Sequence, residues 1–181
     1  MIKNVIAFLA LALILIAVNA SIYDKEQHLS TGRTVFLELA PFDPRSLMQG
    51  DYMALWFEAA TQLRKALPKR IESGRIWRNK VAAEDGWAVL ELDENGVGHF
   101  AGVATTPESA ESHINLAFRI RSGIVKFATN AFFFQEGTAE VYEAARYGEF
   151  RVNEQGEPLL VGLRDKDLVE LVPVSKATFT P

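Results

Sequence analysis

A chain of 181 residues, 49% hydrophobic and with a formal net charge of −4, has room for one ordinary domain and a short extra segment, not for two full-sized domains. Lys3 is the only charged residue among the first 23, so the remainder holds 18 basic and 23 acidic groups, a net of −5 that gives no support for nucleic-acid binding. The absence of cysteine removes disulfides, thiol catalysis and thiolate metal sites, and leaves stability to the core.

Val5 to Tyr23, VIAFLALALILIAVNASIY, is a nearly unbroken apolar run of nineteen residues, closed by Asp24-Lys25-Glu26. At about 1.5 Å per residue, a helix of this length just crosses a hydrocarbon layer about 30 Å thick. The lone positive charge of Lys3 places the N-terminus in the cytoplasm and the domain outside. Two other readings compete: a signal peptide cleaved after Val18-Asn19-Ala20, and a buried core helix. The core reading is the weakest, because Leu and Ile circle the helix without a polar stripe. The expected organisation is a membrane anchor or signal peptide over residues 1–23, a polar tether over 24–33 and an exported β-rich domain over 34–181.

Thr34 to Ala40 reads as a strand with Val35, Leu37 and Leu39 on one face. Gly50 to Phe57 reads as a central strand covered on both faces, since Asp51 is its only charge. Glu58 to Leu67 is a short helix stopped by Pro68, with Leu63 and Leu67 as its apolar pair. Gly86 to Leu92 and Val97 to Val103 flank Asp93-Glu94-Asn95-Gly96, a hairpin turn. Ser112 to Arg121 and Ile124 to Phe134 predict a second hairpin around Ser122-Gly123, and Glu136 to Arg146 a second helix. Tyr147 to Val152 and Leu159 to Leu163 predict a third hairpin, and Leu168 to Val172 one more strand before Pro173. The fold class expected is α+β: mainly an antiparallel β-sheet or partly closed barrel with two short helices, hung from one N-terminal transmembrane helix.

Between the first two strands lies Pro41-Phe42-Asp43-Pro44-Arg45, where Pro44 pre-sets φ and Asp43 accepts a backbone N–H across a turn. Asp51 at the mouth of an apolar strand needs a partner, and Arg45 is the nearest candidate in sequence. A structural turn is the favoured reading of Asp43, Arg45, Asp51 and Tyr52, and a small-ligand or envelope-component site is the alternative. A basic stretch, Arg64, Lys65, Lys69, Arg70, Arg75, Arg78 and Lys80 around Trp77, is a candidate contact patch for a partner or for anionic headgroups. Residues 136–170 hold nine acids against four bases, and Glu136, Glu140 and Glu143 fall on one side of the predicted helix. Such carboxylates favour a helix N-terminus without any ligand.

Gly50-Asp51-Tyr52 with Leu55 and Phe57, preceded by Asp43-Pro44-Arg45, resembles the GDYxxLxY-motif family of exported bacterial proteins. Phe134-Gln135-Glu136-Gly137-Thr138-Ala139, leading into Glu140 and Glu143, resembles that family's second signature. Phe57 stands where the motif has Tyr. The resemblance implies an anchored extracytoplasmic domain, sometimes encoded beside multi-spanning membrane proteins, and it implies no reaction. The Gly-Asp pair also invites comparison with Ser–Lys hydrolases, whose nucleophile lies about eight residues upstream. Here that position is Phe42, and Ser46 is too close.

His28, His99 and His113 lack the i, i+4 spacing of a helical metal pair, so no metal and no cofactor are expected. The expected function is therefore a non-enzymatic accessory or interaction domain, held in a bacterial inner membrane by a lipid-embedded helix and facing the periplasmic side. The expected partner is a multi-spanning membrane protein, and a hydrolase of unrecognised type ranks last.

Overall fold

The computed structural model describes residues 2–40, 48–49, 52–67, 84–110, 112–121 and 123–173. They form two compact units, Met1–Gly32 and Arg33–Pro181. The first is the single helix α1 (Ile2–Thr31). From Phe8 to Tyr23 its apolar side chains are exposed, Phe8 and Ile16 by 71% each, and Phe8–Thr31 is long and apolar enough to cross a membrane. Asn19 is the one amide in the apolar run, and its Nδ2 donates to the Leu15 carbonyl at 2.8 Å, which satisfies one of its donors within the helix. The segment expected to be a tether is helical as far as Thr31. Asp24-Lys25-Glu26 ends the apolar run without ending the helix, because these residues are serviceable helix formers. Ser30 and Thr31 donate back to the Gln27 carbonyl, and Gly32 closes the last turn on His28 O at 3.0 Å.

The second unit runs β1 (Arg33–Glu38), β2 (Met48–Gln49), β3 (Tyr52–Ala54), α2 (Glu58–Ala66), β4 (Glu84–Leu92), β5 (Gly98–Ala104), β6 (His113–Arg121), β7 (Ile124–Lys126), β8 (Ala131–Phe133), α3 (Ala139–Tyr142), β9 (Tyr147–Val152) and β10 (Pro158–Arg164). Three antiparallel sheets result, in the orders β1-β9-β10, β2-β3-β8 and β5-β4-β6-β7. This is the expected α+β class; among the described residues the sheets do not close into a barrel. Backbone bonds stitch one sheet to the next. Phe36 N–H donates to Gly96 O at 3.0 Å, Ala40 N–H to Trp56 O at 2.7 Å and Ala117 N–H to Gly156 O at 2.7 Å.

One shared core fills the space between the sheets and α2: Val35, Leu37, Leu55, Phe57, Leu63, Leu90, Leu116, Phe127, Phe150 and Leu163 are all but inaccessible. Phe57 lies edge-on to Phe150, ring centroids 5.3 Å apart, and to Phe127 at 6.5 Å. Gly148 makes room for it: a Cβ there would stand 2.9 Å from Phe57 Cε1.

Two of the three expected hairpins form as read, and both use one device. Asp93 Oδ1 accepts the N–H groups of Asn95 and Val97, each at 2.8 Å; Asn153 Oδ1 accepts those of Gln155 and Glu157 at 3.1 and 2.8 Å. Asp165 Oδ1 repeats the pattern with Asp167 and Val169, both at 2.9 Å. Three residues after each acceptor the backbone is left-handed, at Gly96 (φ 80°), Gly156 (76°) and Leu168 (60°). The third turn was not expected, since leucine is no turn signal. It reduces the expected strand over 168–172 to a bridge between Glu170 and Arg164 and one bond from Leu171 N–H to Leu163 O at 3.0 Å.

The second hairpin and the second helix differ from expectation. β7 stops at Lys126 because Phe127 enters the core and Ala128 turns at φ 53°, after which β8 crosses to pair with β3. Only Ala139–Tyr142 of the expected helix forms, since Gly137 sits at φ 79° and Arg146 N–H is committed to Arg164 O at 2.8 Å. That turn is held by its neighbours: Tyr142 meets Phe132 edge-on at 5.1 Å and stacks with Phe134 at 5.2 Å.

The Asp93 turn carries a pH signature. The Val97 N–H, followed by the Asn95 N–H and nearby His99, holds its carboxyl below the ordinary value of 3.8 despite partial burial. A lowered folded-state pKa means stabilisation that is complete above the unfolded-state value and is lost as pH falls through the folded-state one. Asp93→Asn, which reproduces the Asn153 turn, is expected to melt like the parent at neutral pH and to lose less stability on acidification. Asp93→Ala is expected to cost about 1 kcal/mol at neutral pH. Thermal melts from neutral to strongly acidic pH check both.

Candidate functional site

The described part of the signature strand, Tyr52 to Phe57, alternates sharply. Met53, Leu55 and Phe57 point into the core at 2% exposure or less, while Tyr52, Ala54 and Trp56 point outward. The expected coverage of both faces is therefore corrected in part: on the outer face Tyr52 and Ala54 are half-buried and Trp56 is 42% exposed. β8 completes this face. Its register sets Phe133 opposite Tyr52 and Ala131 opposite Ala54, on the same face. The Tyr52 and Phe133 rings are 5.8 Å apart, and Phe133 is 73% exposed. Tyr52, Trp56 and Phe133, set on small Ala54 and Ala131, make an aromatic face.

Of the residues singled out in the sequence, Asp43, Arg45, Asp51, Lys69, Arg70, Arg75, Trp77, Arg78 and Lys80 lie outside the described residues, and with them the Arg45–Asp51 pairing. Lys65 is exposed on α2. Arg64 beside it is half-buried, its guanidinium 3.6 Å from where a Gly123 Cβ would stand, and its buried Nη1 has no hydrogen-bond partner among the described residues. Glu136 and Glu140 are exposed on either side of the Gly137 turn. The phenol of Tyr142, buried against Phe132 and Phe134, is pushed above its usual pKa by desolvation and stays neutral.

Two groupings went unseen in the sequence. The strand register of β5, β4 and β6 sets His99 and His113 on either side of Glu91, although the histidines are far apart in sequence. Glu91 and His113 line a shallow depression of about 320 Å³ with Val89, Leu92 and Ser112, while His99 Nε2 stands 3.9 Å from Asp93 Oδ2. Among the described residues no group of three His, Asp or Glu side chains is arranged to hold a metal ion. The second grouping is an ion-pair network on β9 and β10. Glu149, 6% exposed, accepts a hydrogen bond from Arg164 Nε at 2.7 Å and a second contact from its Nη2, with Arg151 Nη2 at 3.7 Å. Arg164 also reaches Glu170 at 3.6 Å. Only the register could reveal this network, because its members are charged residues at ordinary surface spacing.

The family described as GDYXXLXY protein matches residues 14–163. The chain belongs to the GDYXXLXY family. No curated protein and no solved structure matches it. The fold gives two stretches of this chain a physical relation: β3 carries Tyr52 of the Gly50–Phe57 motif and β8 leads into Phe134–Ala139, and the two strands are hydrogen-bonded neighbours. In this GDYXXLXY protein Leu55 and Phe57 serve the core, Tyr52 serves the outer face, and Phe134 with Gly137 shapes the turn that brings Tyr142 against Phe132.

Proposed function

We propose that this GDYXXLXY protein is a single-pass accessory domain, held at the extracytoplasmic face of a bacterial inner membrane and acting by contact with a multi-spanning membrane protein. The observation that carries this reading is α1: an apolar helix exposed from Phe8 to Tyr23, followed by the polar residues 24–32 and then by a β-rich unit that begins at Arg33. A spanning helix so joined keeps the domain near the membrane. Confinement raises the effective concentration of any partner in the same membrane, so weak contacts suffice. The positive charge at Lys3 supports the outward orientation.

A reporter active only outside the cytoplasm, fused after Pro181, is expected to work, and a cytoplasmic reporter at the same place to stay silent. The reverse result overturns the orientation. Cross-linking in native membranes is expected to capture a multi-spanning protein with the full chain; capture of nothing but copies of the chain itself abandons the accessory reading.

A further inference from the structure

We infer that two copies of the chain pair within the membrane through Asn19 of α1, the carboxamides of the two helices hydrogen-bonding to each other. The inference rests on the anchored reading above and deepens it by naming one partner, a second copy. Ile14 is the middle of the nineteen-residue apolar run, and Asn19 lies five residues beyond it. At about 1.5 Å per residue that is about 7.5 Å from the midplane, halfway through one leaflet of a hydrocarbon layer about 30 Å thick. The side chain does not reach out to water from there. Helical side chains lean towards the N-terminus, and the bond from Asn19 Nδ2 to Leu15 O at 2.8 Å holds the carboxamide in that direction, towards the midplane.

A carboxamide has two N–H donors and a carbonyl oxygen. One donor is used on Leu15, while the other and Oδ1 have no partner among the described residues, and lipid chains offer none. Such a group is self-complementary: across a twofold axis along the membrane normal, the free N–H of each copy meets Oδ1 of the other. Every copy enters the membrane in one orientation, so Asn19 lies at the same depth in both. Another protein would have to present a polar group of its own at that depth. The surrounding helix surface fits a close approach. Ala12, seven residues before Asn19, shares its side of the helix and is small enough to let a second backbone come near. Leu15, Ile16, Ile22 and Tyr23, three or four residues from Asn19 and all exposed, surround the amide with apolar surface.

The chain has no cysteine, so single cysteines report on each side of α1. The test oxidises Ala12→Cys and Ala10→Cys, neighbours in depth on opposite sides of the helix, in the full chain in native membranes. Disulfide-linked dimer from Ala12→Cys is expected to exceed that from Ala10→Cys by about tenfold. Adding Asn19→Leu to Ala12→Cys is expected to lower the dimer by about tenfold, equivalent to about 1.4 kcal/mol, whereas Asn19→Gln, which keeps a carboxamide, retains most of it. Equal or greater dimer from Ala10→Cys, a yield that ignores Asn19→Leu, no dimer, or disulfides to other proteins in place of a second copy each overturn the inference. Retention of the variants in the membrane through alkaline carbonate extraction then leaves the anchored reading standing. Release of the parent chain by carbonate removes both.

Discussion

Gly156→Ala is expected to lower the melting temperature of the full chain by about 6–12 °C, corresponding to a loss of about 3 kcal/mol in a domain of this size. Two costs combine. The backbone at Gly156 has φ 76°, where a Cβ is strained by about 1–2 kcal/mol. The added carbon would also stand 2.3 Å from the Asn115 carbonyl oxygen and 2.9 Å from the Trp87 ring, far inside contact distance. The turn cannot retreat without breaking two bonds that fasten it to the neighbouring sheet, Ala117 N–H to Gly156 O at 2.7 Å and Trp87 Nε1–H to Gln155 O at 3.1 Å. Gly96→Ala is the internal control. It has the same left-handed backbone, φ 80°, but its nearest neighbour would be the Phe36 ring at 3.7 Å. That substitution is expected to cost the backbone strain alone, about 2–8 °C. Equal losses at the two glycines would mean that the seam between the sheets carries no weight.

This pair of glycines marks the boundary of what the sequence makes legible. Asp93 to Gly96 and Asn153 to Gly156 are recognisable as turns because the Asx acceptor and the glycine act within four residues. That Gly156 also abuts Trp87 and Asn115 depends on how two sheets meet, and no local pattern encodes it. The same distinction separates β1, whose alternation of Val35 and Leu37 points directly to a core face, from the stretch after β7. There an apolar run through Phe134 suggests one strand, whereas Phe127 is claimed by the core and the chain changes sheets. Composition likewise favours a helix through Glu136 to Arg146, yet a left-handed Gly137 and the bond from Arg146 to β10 confine it to one turn.

The outer face of β3 was hidden for a different reason. Tyr52, Ala54 and Trp56 are as apolar as Met53, Leu55 and Phe57, so alternation finds two apolar faces without saying which is covered. Only the pairing with β8 identifies Phe133 as the partner of Tyr52.

Glu149→Leu is expected to cost about 3 kcal/mol, again about 6–12 °C. The carboxylate is 6% exposed and Arg164, its hydrogen-bonded partner, keeps only 20% exposure, so the single substitution leaves a guanidinium largely dehydrated. Arg151 has a fallback, since its Nη1 donates to Thr34 Oγ1, and Glu170 is 53% exposed and can return to water. The stranded charge is thus chiefly Arg164. If that is the origin of the cost, removing both charges should recover most of it, because a leucine and a methionine of similar bulk need no partner. The Glu149→Leu/Arg164→Met double variant is therefore expected to melt close to the parent, with a coupling energy of about 2 kcal/mol from the double-mutant cycle. Additive losses would locate the cost in packing against Phe36 and Gly162, the cross-strand neighbours of Glu149, rather than in the ion pair.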